Sequence, residues 1–276
     1  MGDLEKLEWV DAFSVVGYGA RVGVRVSNPS IVPQLIARLS PGTRIGKAEG
    51  RVDRMLSVIL GGPGERKGVR TMHMVYADHV AVGRSRDLET ALESYDSHLR
   101  LAMAQFSRKK LFIHGGAVVW QGKAILFPGK SMAGKTHLVA ELLTAGAEYL
   151  SDEYAVMDDQ GMVHPFAKPL SIRKTPTARQ CETPAEALGA RIAKRPVPVG
   201  LVVMARYREG ASWRPKLLSP AVGAPELMAN TVAARMDPAR TLAMLADIAE
   251  RIPIVKSARP DAKLTVKNIL RLASNY

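Results

Sequence analysis

The octapeptide Gly129-Lys130-Ser131-Met132-Ala133-Gly134-Lys135-Thr136 constrains this chain more than any other feature, because it satisfies the pattern G-x-x-x-x-G-K-[ST]. Such a loop functions only between a strand and the first turn of a helix. There, successive backbone N–H groups and the helix dipole converge on an anion, and glycine lets the chain approach it closely. The flanks have that form: the apolar run 124–127 reads as a strand, and 136–144 as a helix stopped by Gly146. In that setting Lys135 reaches the terminal phosphates of a nucleotide and the Thr136 hydroxyl ligates Mg²⁺.

Asp152 and Glu153 are the second element. They follow a short strand at 148–150, one helix beyond the loop, and in a parallel sheet the strand ends cluster on the loop's edge. The two carboxylates would then face the metal and the terminal phosphate; without the loop, an acidic doublet after a strand reads as a turn or a helix cap. His114-Gly115-Gly116, at the end of a strand over 111–113, is the third element. A lone histidine is more often a hydrogen-bonded structural residue than a catalyst, so this one gains weight only from its spacing to the loop.

The chain reads as two domains. Residues 1–107 form a strand-rich α+β region: a strand pair over 12–26, a helix over 30–39, strands over 51–60 and 71–82, and a helix capped by Asp87 and running to about Gln105. No catalytic constellation stands out there. Residues 108–276 read as α/β. Strands at 117–120 and 124–127 join through Gln121-Gly122 as a hairpin ahead of the loop. Residues 165–198 hold six of the 17 prolines and read as loop with one short helix near 184–190. A buried strand covers 199–205, and amphipathic helices cover 224–235, 238–251 and 265–273.

Charge follows the same division. Residues 1–107 carry 14 basic and 12 acidic side chains, whereas 108–276 carry 25 and 14, so an anionic partner belongs with the second part. Between 191 and 216, Arg191, Lys194, Arg195, Arg206, Arg208, Arg214 and Lys216 meet Glu209 as the single acid. Only 5% of residues are Phe, Trp or Tyr, and no helix-turn-helix or RNA-binding signature is present, which argues against nucleic acid. Cys181 is the single cysteine; that excludes an intramolecular disulfide and a Cys-rich zinc site, and fits a reducing cytoplasm. The acidic, polar start from Met1 to Glu8 is not that of a signal peptide, and no apolar run approaches the roughly 18–20 residues of a membrane span.

Together, the histidine, the loop and the acidic doublet resemble the catalytic domain of HPr kinase/phosphorylase, the bacterial enzyme that phosphorylates a serine of a small carrier protein. The family pattern runs His-Gly, a glycine fifteen residues on that opens the phosphate loop, a serine third in the loop, and an acidic doublet sixteen residues past its last hydroxyl. Here His114 to Gly129 is fifteen, Ser131 stands third, and Thr136 to Asp152 is sixteen. The match is strong from about Phe112 to Asp158 and an outline beyond, through the Arg-Ile-Pro-Ile segment at Arg251.

The resemblance implies a P-loop kinase core similar to HPr kinase and phosphoenolpyruvate carboxykinase, using ATP and Mg²⁺. It implies that Asp152 is the base for the acceptor hydroxyl, that Glu153 helps Thr136 hold the metal, or the reverse for the two acids, and that His114 lies beside the reacting groups. Arg173 matches a phosphate clamp, and family members are often hexameric, which makes a homo-oligomer an expectation. The departures are Met132 and Ala133 where the family loop is richer in glycine, and a Pro-rich stretch at 168–176 in place of the Gly-rich segment of bifunctional members, which argues against dephosphorylation. In these respects the chain is similar to shorter relatives in peptide natural-product clusters, some of which phosphorylate a precursor peptide. The leading expectation is therefore phosphoryl transfer to a serine of an acidic peptide or small protein. Transfer to a small-molecule hydroxyl, and nucleotide or nucleic-acid binding without transfer, are the alternatives.

Overall fold

A computed structural model of the chain describes residues 3–62, 71–129, 133–172 and 181–276. The chain divides into two compact units, Met1–Lys109 and Lys110–Tyr276. In the first, alternating apolar residues build strands β1 (Asp11–Gly17), β2 (Ala20–Val26), β3 (Arg44–Gly46), β4 (Arg54–Ile59), β5 (His73–Ala77) and β6 (Val80–Ser85). They form one sheet in the order β3-β1-β2-β4-β5-β6. The β2/β4 pair is parallel and the others antiparallel. A short helix α1 (Val32–Ile36) follows a 3₁₀ turn, and the long α2 (Leu88–Phe106) begins where Asp87 accepts a hydrogen bond from the Thr90 N–H at 2.9 Å. Val22, Val24, Leu56 and Val75 pack with Leu92, Tyr95 and Leu99 of α2 to make this unit's core.

Two expectations change here. The segment 71–82 is not one strand: Asp78 takes a left-handed φ of 53° and turns the chain into the β5/β6 hairpin. Of the helix anticipated over 30–39, only the five residues of α1 are α-helical.

The second unit holds a mixed α/β arrangement. Its strands are β7 (Leu111–Trp120), β8 (Lys123–Pro128), β9 (Glu148–Ser151), β10 (Tyr154–Met157), β11 (Met162–His164), β12 (Leu170–Ile172), β13 (Cys181–Thr183), β14 (Val197–Tyr207), β15 (Lys216–Leu217) and β16 (Ile254–Arg259). The helices are α3 (Lys135–Thr144), α4 (Pro220–Met228), α5 (Pro238–Arg251) and α6 (Ala262–Ala273). The main sheet has the order β11-β10-β7-β8-β14-β16-β15, with β9 also on β7, and β12 and β13 form a separate pair. β8, β14 and β16 run parallel, so their C-terminal ends share one edge.

Strand alternation decides which helices cover which face. Val118, Ile125, Phe127, Leu201, Val203 and Val255 point to the face packed with Leu138 and Leu142 of α3 and with Val266 and Ile269 of α6. Their neighbours Val119, Leu126, Val202 and Ile254 point the other way, toward Leu227 of α4 and Leu245 and Ile248 of α5. The runs 111–113 and 117–120 are one ten-residue strand, β7, because Gly115 and Gly116 remain in the ladder. The helix anticipated over 224–235 is α4, which starts at Pro220, followed by a 3₁₀ turn at Val232–Arg235. β16 was not anticipated at all, and it supplies the third parallel strand.

Candidate functional site

β8 ends and α3 begins at the C-terminal edge of the parallel strands. The Gly129 N–H donates to the His114 carbonyl at 3.1 Å, which ties the beginning of the loop to β7. At the other end Gly134 caps α3 in the left-handed region, φ 76° and ψ 20°. A Cβ at Gly134 would also lie 2.6 Å from the Arg259 Nη2 and would displace that guanidinium end. A Cβ at Gly129 would lie 3.5 Å from the Lys135 Cδ and 3.6 Å from the Ala133 Cβ, so the lysine stem folds back over the start of the loop. Lys130, Ser131, Met132 and Arg173 lie outside the described residues.

Asp152 and Glu153 directly follow the end of β9, and because β9 and β8 both run antiparallel to β7, that end lies on the loop's edge, as expected, although β9 pairs with β7 and not with a parallel neighbour. β9 and β10 run one after the other antiparallel to β7, with Ser151 opposite Ala117 and Tyr154 opposite His114. The acidic doublet is the interruption between them, facing Gly115-Gly116. Ser151 makes the interruption: its Oγ accepts from the Glu153 N–H at 3.3 Å and the Tyr154 N–H at 3.2 Å. The Gly115 N–H donates to the Glu153 carbonyl at 3.0 Å. Both glycines are dictated by crowding, since a Cβ would lie 2.6 Å from the Phe127 carbonyl oxygen at Gly115 and 2.5 Å from the Val139 Cγ2 at Gly116. The loop, the histidine and the acids are thus drawn to one place by backbone contacts.

The electrostatics are those of a buried polar site. Asp152 is 7% exposed. Burial pushes its carboxyl up to about 6, opposed by a hydrogen bond from the Thr136 side chain and by Lys168 and Lys135, and reinforced by Glu153. Its Oδ1 is buried without a hydrogen-bond partner among the described residues. Burial lowers the pKa of Lys135, with Asp152 opposing. Burial and then Lys135 lower that of His114, with Glu153 opposing, which favours a neutral imidazole. Glu153 pairs with Lys168 Nζ at 3.4 Å, and the Tyr149 hydroxyl donates to the Lys168 carbonyl at 2.8 Å.

Arg259 and Lys168 are site residues that sequence reasoning missed. Arg259, the last residue of β16, is 2% exposed, and its Nη2 donates to the Gly134 carbonyl at 2.7 Å. The segment 254–259 is short and lies between two helical patterns, so nothing in its periodicity marked it; the one available signal was a basic residue directly before Pro260. Lys168 lay inside a stretch read only as Pro-rich loop.

The basic run from Arg191 to Lys216 is not one patch beside the loop. Arg191 pairs with Glu148 at 2.8 Å, at the starting end of β9, and Val199 lies opposite Ala124 at the start of β8. Arg206 and Arg208 lie at the far end of β14, where Tyr207 is opposite Arg259. At roughly 3.3 Å per residue, the seven steps of β14 from Val199 to Arg206 separate the two groups by about 23 Å.

Among the described residues no three His, Cys, Asp or Glu side chains gather as a metal site, and no helix is long and apolar enough to cross a membrane. No family model and no curated protein matches the chain. A solved structure of the Hpr(Ser) kinase/phosphatase from Coxiella burnetii is similar to 59% of this chain and 94% of its own, at 17% identity and a TM-score of 0.32. That similarity is distant and by itself assigns neither substrate nor activity.

Proposed function

We propose that the chain is an ATP-dependent kinase that transfers a phosphoryl group to a hydroxyl, with a serine of an acidic peptide or small protein as the acceptor. The observation that carries this reading is Asp152: a buried carboxyl with one open oxygen, hydrogen-bonded to Thr136 and beside Lys135 at the helix start that follows a glycine-bounded loop. A carboxylate so placed accepts the proton of an incoming hydroxyl, and its raised pKa suits it to that exchange near neutrality. Lys135 and the amides at the start of α3 neutralise charge on the transferring group. Neutral His114 offers a hydrogen bond beside them.

Hard oxygen donors suit Mg²⁺, and the orphaned Asp152 oxygen, the Thr136 hydroxyl and Glu153 provide such a set. Thr136 and Glu153 would hold the ion. One or two protein ligands with the phosphates completing the shell is its usual mode. When bound, Mg²⁺ supplies charge neutralisation across the phosphates.

The test uses γ-labelled ATP with a cell lysate as acceptor source. Label on macromolecules is the expected result, and Asp152→Asn should bind ATP as the parent does while losing transfer. Transfer by the Asn variant at the parental rate would remove Asp152 as base. Label confined to small molecules would remove the peptide or protein acceptor.

A further inference from the structure

Beside the loop stands an aromatic residue that the proposed chemistry does not use. Tyr207 ends β14 and is 45% exposed, although it lies on the sheet edge where the buried parallel strands terminate. Its Cβ is 3.6 Å from where a Cβ on Gly134 would be, which puts it against the first turn of α3. The Arg259 guanidinium carbon lies over the ring, 5.7 Å from its centroid.

Arg259 is itself unusual. It is 2% exposed, it donates to two carbonyls, Gly134 at 2.7 Å and Pro260 at 3.0 Å, and its Nε is buried without a hydrogen-bond partner among the described residues. No carboxylate forms an ion pair with it among those residues. Burial lowers its pKa and the charge of Asp261 opposes that through space, without an ion pair among the described residues. Its contacts fix Tyr207 and the last loop glycine as one unit, so the ring is presented to solvent in a set position, next to where phosphates bind in the proposed function.

We infer that Tyr207 is a stacking platform for the base of the nucleotide whose phosphates occupy the loop. The inference rests on the nucleotide reading above and adds to it the wall that recognises the nucleoside. A base tethered to phosphates at Gly134 is held at high local concentration beside the ring. Stacking on a side chain already held by a cation loses little side-chain freedom.

Calorimetric titration of the full chain with ATP and, separately, with inorganic tripolyphosphate, both with Mg²⁺, tests this. Tyr207→Ala should weaken ATP about tenfold, the scale of one base stack, and leave tripolyphosphate at parental affinity. Tyr207→Phe, which keeps the ring, should bind both as the parent does. Parental ATP affinity in Tyr207→Ala overturns the inference. Equal losses for both ligands also overturn it, because the ring would then act only through Arg259 on the loop. A parent that binds neither ligand overturns the proposed function, and this inference with it.

Discussion

Asp152 carries a cost that can be measured without any substrate. Its carboxyl titrates at about 6 in the folded chain because burial outweighs the help from Thr136, Lys168 and Lys135, against roughly 3.9 in an unfolded chain. Between those values the folded state holds the proton and the unfolded state does not, so stability falls as pH rises through the window. The stabilising contribution is complete below about 4 and gone above about 6, a difference of roughly 3 kcal/mol at 1.36 kcal/mol per unit. Asp152→Asn cannot ionise. In a chelator, with no metal or nucleotide, the variant should therefore unfold at higher urea than the parent at pH 8, and the gap should close by pH 4. A gap that stays constant with pH would mean that the carboxyl is not destabilised by burial. A site that holds a carboxylate in place at that cost suits one that later receives a metal or a proton.

At the scale of elements, the same site depends on how closely α3 lies on β7. The missing Cβ of Gly116 marks the contact, with Val139 Cγ2 only 2.5 Å from where it would be. Gly116→Ala should destabilise by about 1–3 kcal/mol, as overpacking does. Val139→Ala made in the same chain should recover part of that loss, and urea melts of the two single variants and the double variant measure the coupling. Additive losses would place the strain elsewhere. These elements also show what a sequence can reveal. The Gln121-Gly122 turn was legible because Gly122 suits its left-handed φ of 78°, although Gln121 also takes φ 50°, and α2 was legible from the Asp87 cap and its apolar stripe. β7 was read as two strands because paired glycines usually signal a break; here they admit β8 and α3. β16 was invisible because Lys256 interrupts its apolar pattern, and with it went Arg259, whose role comes from the strand beside it and not from its sequence neighbours. That a second strand, β10, resumes on β7 directly after the acidic doublet could not be read either, since the register of β9 and β10 on β7 is a long-range property.

Across the whole molecule, charge that is adjacent in sequence is not adjacent in space. Every core side chain of the first sheet lies within Met1–Lys109, and those of the second within Lys110–Tyr276, so the net positive excess after residue 108 belongs to a unit with a core of its own. Within that unit β14 divides the basic run. Arg206, Arg208 and Arg214 are exposed near the loop edge, where the Arg208 N–H donates to the Arg259 carbonyl and the Arg214 N–H to the Ser257 Oγ at 3.0 Å. Arg191, Lys194 and Arg195 are exposed at the opposite end, and Arg191 is already paired with Glu148. In the proposed function an acidic acceptor enters at the loop edge beside the first group, whereas the second flanks β9, where the Arg191 carbonyl accepts from the Tyr149 N–H at 2.8 Å. With a synthetic serine peptide flanked by glutamates, replacing Arg206, Arg208 and Arg214 by alanine should raise KM several-fold at low salt, since exposed pairs are each worth about 0.2–1 kcal/mol. Alanine at Arg191, Lys194 and Arg195 should leave KM unchanged, and the effect of the first set should fade at 1 M salt, where the screening length is about 3 Å. Equal effects from the two sets would mean that the acceptor senses only the overall field of the protein, and that the arginines at the loop edge do not guide it.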